Sequence, residues 1–302
     1  MSSSAPKPAW LRRRIPPPGS SATVQAALQG HGLHTVCIEA QCPNQMECFG
    51  RGTATFLLLG PFCTRRCSFC AVGKSEVQPL DPGEPGRVAQ AVARLGLDFC
   101  VLTMVTRDDL ADGGAGHVAQ TVAAVRREVP DLGIEVLISD LGGNPQALDE
   151  VLGARPEVLN HNVETVPRLY PKVRPLADYG RSLDLLARAS AHTPPLVTKS
   201  GIMLGLGETK DEVRATLRDI RRTGCRLVTL GQYLAPSERH HPVVRYVPPE
   251  EFADYEDFAL AVGFTAVAGS PFVRSSYHAG RLYKEACAML RAEVPPRRGV
   301  MP

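Results

Sequence analysis

The chain has 302 residues, a formal net charge of +3 and 44% hydrophobic residues. That is length and apolar content enough to bury a large core, as one big domain or two smaller ones, and it excludes disorder of the whole. A charge this small makes no electrostatic case for nucleic acid or an anionic membrane as partner. No apolar run approaches the ~20 residues that span a bilayer, and no hydrophobic signal core follows the first basic residues, so a soluble, cytoplasmic protein is expected.

Residues 1–21 are rich in Ser, Pro and Arg and carry no acid. Acid-poor leaders also open organelle targeting segments, but Pro16, Pro17 and Pro18 would break the amphipathic helix that such a segment needs. The favoured reading is an ordered basic arm over residues 7–12, around the single Trp10, lying across the surface of the domain.

Six of the nine cysteines then fall in two triplets, Cys37-x4-Cys42-x5-Cys48 and Cys63-x3-Cys67-x2-Cys70. In a cytosolic protein clustered cysteines are metal ligands sooner than disulfides, whereas the scattered Cys100, Cys225 and Cys287 read as small buried hydrophobes. Three thiolates on one short loop can hold three irons of a four-iron cubane and leave the fourth open to a small molecule. The upstream triplet has no fourth cysteine nearby, and a zinc site completed by His31 or His34 is the rival there.

From residue 53 apolar runs alternate with amphipathic ones. Strands are predicted over residues 53–60, 98–105, 133–140, 157–164, 196–204 and 226–234, and helices over 118–129, 180–189 and 210–223 by their apolar spacing. Six strand-helix units imply a parallel sheet with helices outside, and such a sheet carries its chemistry on the loops at the carboxyl ends of the strands. Polar residues gather there: Thr106, Arg107, Asp108 and Asp109 after the second strand, Asn160, His161, Asn162 and Glu164 at the fourth, Lys199 and Ser200 in the fifth, Gln232 and Tyr233 at the sixth. Polar groups inside apolar strands cost stability, so their concentration at one rim marks a site. The run Gly201-Ile202-Met203-Leu204-Gly205-Leu206-Gly207-Glu208 lacks the Lys-Ser/Thr of a phosphate cradle; glycine here suits close backbone approach to a flat adenine. Asp112-Gly113-Gly114 reads as a turn before a helix. Arg274-Ser275-Ser276-Tyr277, after the apolar run 265–271, reads as a loop with a hydrophobic anchor.

Taken together, eight motifs carry a family resemblance. They are Cys37-x4-Cys42-Pro43-Asn44-x2-Glu47-Cys48, Gly52-Thr53-Ala54-Thr55-Phe56, Cys63-Thr64-Arg65-Arg66-Cys67-x-Phe69-Cys70 and Arg107-Asp108-Asp109-Leu110-x-Asp112-Gly113-Gly114-Ala115. Asn160-His161-Asn162-x-Glu164-Thr165-Val166, Lys199-Ser200-Gly201-x-Met203-Leu204-Gly205-x-Gly207-Glu208, Gly231-Gln232-Tyr233-Leu234 and Arg274-Ser275-Ser276-Tyr277 follow in order. Over nearly its whole length the sequence resembles the lipoyl synthases of the radical S-adenosylmethionine (SAM) superfamily, with one departure, Thr106, where an Asp is expected before Arg107.

The resemblance implies an α/β fold, a partial (β/α)6 TIM-like barrel over residues 53–245. An N-terminal extension (1–52) would carry the upstream triplet, and a C-terminal extension (246–302) would supply a serine ligand. It implies two 4Fe-4S clusters and SAM. One cluster, on Cys63, Cys67 and Cys70, would cleave SAM. The other, on Cys37, Cys42, Cys48 and Ser276, with Ser275 the fallback, would give up sulfur for insertion at C6 and C8 of a protein-bound octanoyl-lysine. Asp109, Asn160, Glu164, Lys199 and Gln232 are the candidates for holding SAM. The implied partners are octanoylated lipoyl carrier domains (glycine cleavage H protein, E2 subunits of 2-oxoacid dehydrogenases), an electron donor such as ferredoxin or flavodoxin, and an iron-sulfur carrier that restores the spent cluster. Arg12, Arg13 and Arg14 would help steer an acidic carrier. The rivals are a sulfurtransferase of biotin-synthase type and a noncatalytic iron-sulfur carrier; the upstream triplet and the terminal Arg-Ser-Ser-Tyr argue against the first, the glycine run and polar rim against the second.

Overall fold

The computed structural model describes residues 6–12, 17, 19 and 21–293; Arg13, Arg14, Pro16 and Pro18 lie outside them. The basic arm forms a single 3-10 turn at Ala9–Leu11, anchored by the buried Leu11, while Trp10 stays exposed.

After the arm come α1 (Ala22–Gly30), a two-residue strand β1 (His34–Thr35), and the short helices α2 (Val36–Glu39) and α3 (Gln45–Gly50). The alternating body follows as β2 (Thr55–Leu58), α4 (Glu84–Leu95), β3 (Phe99–Met104), α5 (Ala115–Glu128), β4 (Gly133–Leu137), α6 (Pro145–Gly153) and β5 (Val158–Asn160). It continues with α7 (Tyr170–Val173), α8 (Tyr179–Ser190), β6 (Val197–Leu204), α9 (Lys210–Arg222) and β7 (Leu227–Gln232), and ends with α10 (Pro249–Ala261), β8 (Ala266–Ser270) and α11 (Ala279–Glu293).

The eight strands make one sheet in sequence order. Strands β2 to β8 pair parallel with their neighbours, β1 joins β2 antiparallel, and β1 does not pair with β8, so the barrel is open along one seam. The six predicted strands correspond to β2–β7. Buried on both faces, β2 and β7 are mostly apolar rather than alternating, with Thr55, Thr229 and Gln232 as their polar members. The helices outside form for local reasons: α9 opens on a capping box between Thr209 and Glu212, and α4 ends on Gly96 at φ 61°.

The N-terminal segment is not a separate unit. Val24, Leu28, Cys37 and Phe49 belong to the same apolar core as Phe56, Leu102 and Val136 of the strands. At the amino-terminal end of the barrel α11 acts as a plug, its Leu282 and Ala286 packing on Val158, Val197, Leu227 and Ala266. Among the described residues no helix is long and apolar enough to cross a membrane.

Candidate active site

The loop leaving β2 begins with two left-handed residues, Leu59 (φ 70°) and Gly60 (φ 86°). This turn is fixed by α4 and α5: the Leu59 amide donates to Glu84 Oε2 (3.0 Å), which also meets His117 Nε2 (2.7 Å). Between the first two cysteines the buried Arg65 reaches across to the loops after β3 and β4. Its guanidinium binds Asp108 (2.8 Å) and Asp140 (2.6 and 2.9 Å). Thr64 donates through both its amide and hydroxyl to the carbonyl of Thr106 (3.0 Å each). Thus the departed motif position serves the loop through its backbone, which any residue supplies.

Cys63, Cys67 and Cys70 border a cavity of about 520 Å3 at the carboxyl ends of the strands, and Cys37, Cys42 and Ser276 border the same cavity. Burial pushes the Cys67 thiol up, against the opposing charge of Arg174, and pushes Cys70 up to about 11. Such thiols stay protonated at neutral pH until a cation takes them as thiolates. Among the described residues no three His, Cys, Asp or Glu side chains converge as ligands of a single ion would; thiolates on separate irons of a cubane have no need to. Three soft thiols on one turn with polar groups across the cavity fit that cluster.

The upstream triplet is built by three short elements. Thr35 accepts from the Cys37 amide (3.2 Å) and donates to Thr55 O (2.7 Å), tying the start of α2 to β2. Asn44 donates to Phe272 O (2.7 Å) and Tyr277 to Glu47 Oε1 (2.9 Å), so α3 is stitched to the segment after β8. The result places Ser276 with Cys37, Cys42 and Cys48 around a second cavity of about 380 Å3. Ser275 instead exchanges hydrogen bonds with the Asn162 amide (2.7 and 2.9 Å). His31 is bonded to Ala27 O (2.8 Å), His34 to Glu39 (3.3 Å), and neither borders this cavity, so the zinc alternative loses its fourth ligand.

Of the five residues put forward for SAM, the structure brings Glu164 and Gln232 to the cavity and not the other three. Asp109 is clamped by Arg107 (2.7 and 2.8 Å). Lys199 is fully buried in the barrel and grips both carboxylate oxygens of Glu135 (2.9 Å each), whose Oε1 also accepts from Asn160 (2.8 Å). Lys199, Glu135 and Asn160 form a buried polar layer inside the barrel. Gln232 reaches the cavity wall with its amide spent on backbone: it donates to Leu204 O (3.1 Å), Tyr233 O (2.9 Å) and Arg245 O (3.1 Å), and accepts from Val247 N (2.7 Å).

Two residues outside that set border the cavity, and each carries a buried polar atom without a hydrogen-bond partner. Arg174, from the turn after α7, donates through Nη1 to Asn162 O, Val163 O and the Tyr170 hydroxyl, while its buried Nε has no hydrogen-bond partner. His161 is held through Nδ1 at Ile138 O (3.0 Å), and burial, aided by Arg174, lowers its pKa to about 4. A neutral ring with Nδ1–H donating leaves Nε2 as a buried acceptor without a partner. Burial pushes the Glu164 carboxyl up, and Arg174 opposes that rise. Arg174, Glu164 and His161 thus border the cavity together with Cys63, Cys67 and Cys70. Arg174 escaped the sequence reading because it stands beyond the strand ends, in a segment with no motif of its own.

The chain matches the Radical SAM superfamily over residues 57–220. It is similar to the lipoyl synthase of Trichlorobacter lovleyi, at 58% identity over 274 residues, covering 90% of this chain and 97% of that protein. It is also similar to the lipoyl synthase of Chlorobium phaeovibrioides, at 54% identity over 276 residues, covering 91% and 96%. Among solved structures, SuiB of Streptococcus suis bound to S-adenosylmethionine superposes with a TM-score of 0.52 at 9% identity, covering 72% of this chain and 51% of that one, a likeness of fold alone.

Proposed function

The chain belongs to the lipoyl synthase family of the radical SAM superfamily, and from that premise we propose how its residues divide the work of inserting sulfur into a protein-bound octanoyl group. It is a radical SAM sulfurtransferase, with a 4Fe-4S cluster and SAM as its reagents. When bound, these supply one-electron chemistry able to take hydrogen from C–H bonds that have no activating neighbour, at C6 and C8 of the octanoyl chain, which acid-base side chains cannot do.

In this reading Cys63, Cys67 and Cys70 hold the cluster that meets SAM. Cys37, Cys42, Cys48 and Ser276 hold a second one, the source of sulfur, with residues 1–52 and 246–302 as extensions of the barrel 53–245 that bring those ligands in. Serine oxygen is a harder ligand for iron than thiolate, and so a suitable one to release when that cluster opens. Arg65 keeps the first loop seated. Arg174, His161 and Glu164 border the cavity and are the residues proposed to lie at the polar end of SAM. The apolar wall, including Leu57, Met104, Val105, Leu137 and Ile202, suits an alkyl chain and keeps water from the reacting carbons.

The observation that carries the proposal is that one cavity is bordered by Cys63, Cys67 and Cys70 and by Cys37, Cys42 and Ser276. An octanoyl chain lying in it faces both ligand sets at once. The octanoylated lipoyl carrier domain docks over the rim, and the glycine cleavage H protein and E2 subunits are the carriers proposed. A ferredoxin or flavodoxin would supply electrons and an iron-sulfur carrier would restore the spent cluster, all in the cytoplasm. An octanoyl-lysyl peptide with SAM and a strong reductant tests the division of labour. Cys37→Ala should still release 5'-deoxyadenosine yet insert no sulfur, and Cys67→Ala should do neither. Equal loss of both products in the two variants would reject it.

A further inference from the structure

The four residues Cys37, Cys42, Arg274 and Ser276 border both cavities, whereas Cys48 borders only the second. The proposed ligands of the second cluster therefore form a partition. On one side lies the substrate cavity at the carboxyl ends of the strands. On the other lies a space of about 380 Å3 reached past Thr55, Phe99 and Val101, which sit in the early halves of β2 and β3, and past the start of α11. Its lining carries the cations Arg51, Arg274, Arg281 and Lys284 against the carboxylates Glu47 and Asp98, with a third carboxylate, Glu285, beside Arg281, an excess of one cation. Three of those cations stand well out in solvent, with side chains 58% (Arg51), 72% (Arg281) and 67% (Lys284) exposed. Their ion pairs, to Glu47 (3.1 Å), Glu285 (3.4 Å) and Asp98 (2.7 Å), are surface pairs that hold them only weakly.

A cluster that surrenders sulfur must be refilled, and on its first side the ligands face the cavity that holds substrate and product. We infer that the second cavity is the refilling port, and that it admits an anionic iron-sulfur cluster ligated by thiolates. The excess of cations at its mouth gathers such an anion. Transfer of a ready-made cluster is ligand exchange without change of oxidation state: each cysteine of the chain passes its proton to the thiolate it displaces, which leaves as thiol, and Ser276 does the same with the last. The inference rests on the assignment of the second cluster.

The test uses the full chain, unaltered and as the double variant Arg281→Glu/Lys284→Glu, each purified without oxygen and counted for iron and sulfide. Both are taken through one turnover, stripped of spent iron, and offered a synthetic thiolate-ligated four-iron cluster or, separately, ferrous iron with sulfide; refilling is followed by the charge-transfer absorbance of the second cluster. Equal iron content and equal first-turnover product are expected, with refilling from the anionic cluster slowed about tenfold or more in the variant and refilling from the ferrous cation not slowed. In the unaltered chain the same rate should fall as salt rises. Equal refilling from the anionic cluster in both proteins overturns the inference. Should the variant arrive short of iron, the salt series decides, and a salt-independent rate overturns it. A single cluster in the unaltered chain would instead strike at the second-cluster assignment itself.

Discussion

Lys199 stands in the sequence as a candidate for holding SAM, yet a carboxylate for it is already in the chain, 64 residues upstream. Its ammonium sits between both oxygens of Glu135, the two side chains 0% and 1% exposed. Removing one member of a buried pair strands the other charge, at a cost of about 3–5 kcal/mol, while replacing both by apolar groups of similar volume is close to neutral. Lys199→Met should therefore lower the urea midpoint sharply, and Glu135→Leu/Lys199→Met should recover most of the loss with SAM binding unchanged. A double variant that is stable but binds SAM weakly would return Lys199 to the ligand. The cysteine triplets stand out in the sequence because their meaning lies in local spacing. The hydrogen bonds of Lys199, Asn160 and Gln232 do not, because each goes to a partner the spacing does not reveal: Glu135 for the first two, and the backbone around Arg245 and Val247 for the third. His161 was visible as one of several polar residues at a strand end, but only the carbonyl of Ile138 shows that its Nε2 is left over.

The loop that carries the first triplet has no regular structure of its own and depends on Arg65 to hold it between the ends of β3 and β4. Burial works to raise the Asp140 carboxyl, but the hydrogen bond and charge of Arg65 outweigh it and hold the pKa at about 2. A folded-state pKa below the ordinary carboxylate value means that this contribution is complete above about pH 4 and is lost as pH falls through about 2. Asp140→Asn should thus cost about 2 kcal/mol at neutral pH, with the gap to the unaltered chain closing toward pH 2 in urea titrations. A gap that stays constant across that window would contradict the ion pair. Among the elements, β2–β7 were readable as apolar runs with the helical spacing of α5, α8 and α9 between them. Strands β1 and β8 were not: the first is two residues long, and the second, Ala266–Ser270, is made of small residues that become a strand through their pairing with β7. Nor could spacing show that α3 meets the segment after β8, a contact between residues more than 200 apart.

The molecule as a whole is an open barrel whose seam is closed by its two terminal segments, and the closure brings Ser276 to one cavity with Cys37, Cys42 and Cys48. The arrangement makes one cavity bordered by Cys63, Cys67 and Cys70 and by Cys37, Cys42 and Ser276, and the proposed chemistry needs two clusters in one chain. Iron and sulfide counted together with Mössbauer spectra, on protein purified without oxygen, test this directly. About eight irons and about eight sulfides per chain are expected, falling to about four of each when Cys37, Cys42 and Cys48 are replaced together by Ala. About four irons in the unaltered chain, or zinc at the upstream thiols, would contradict it.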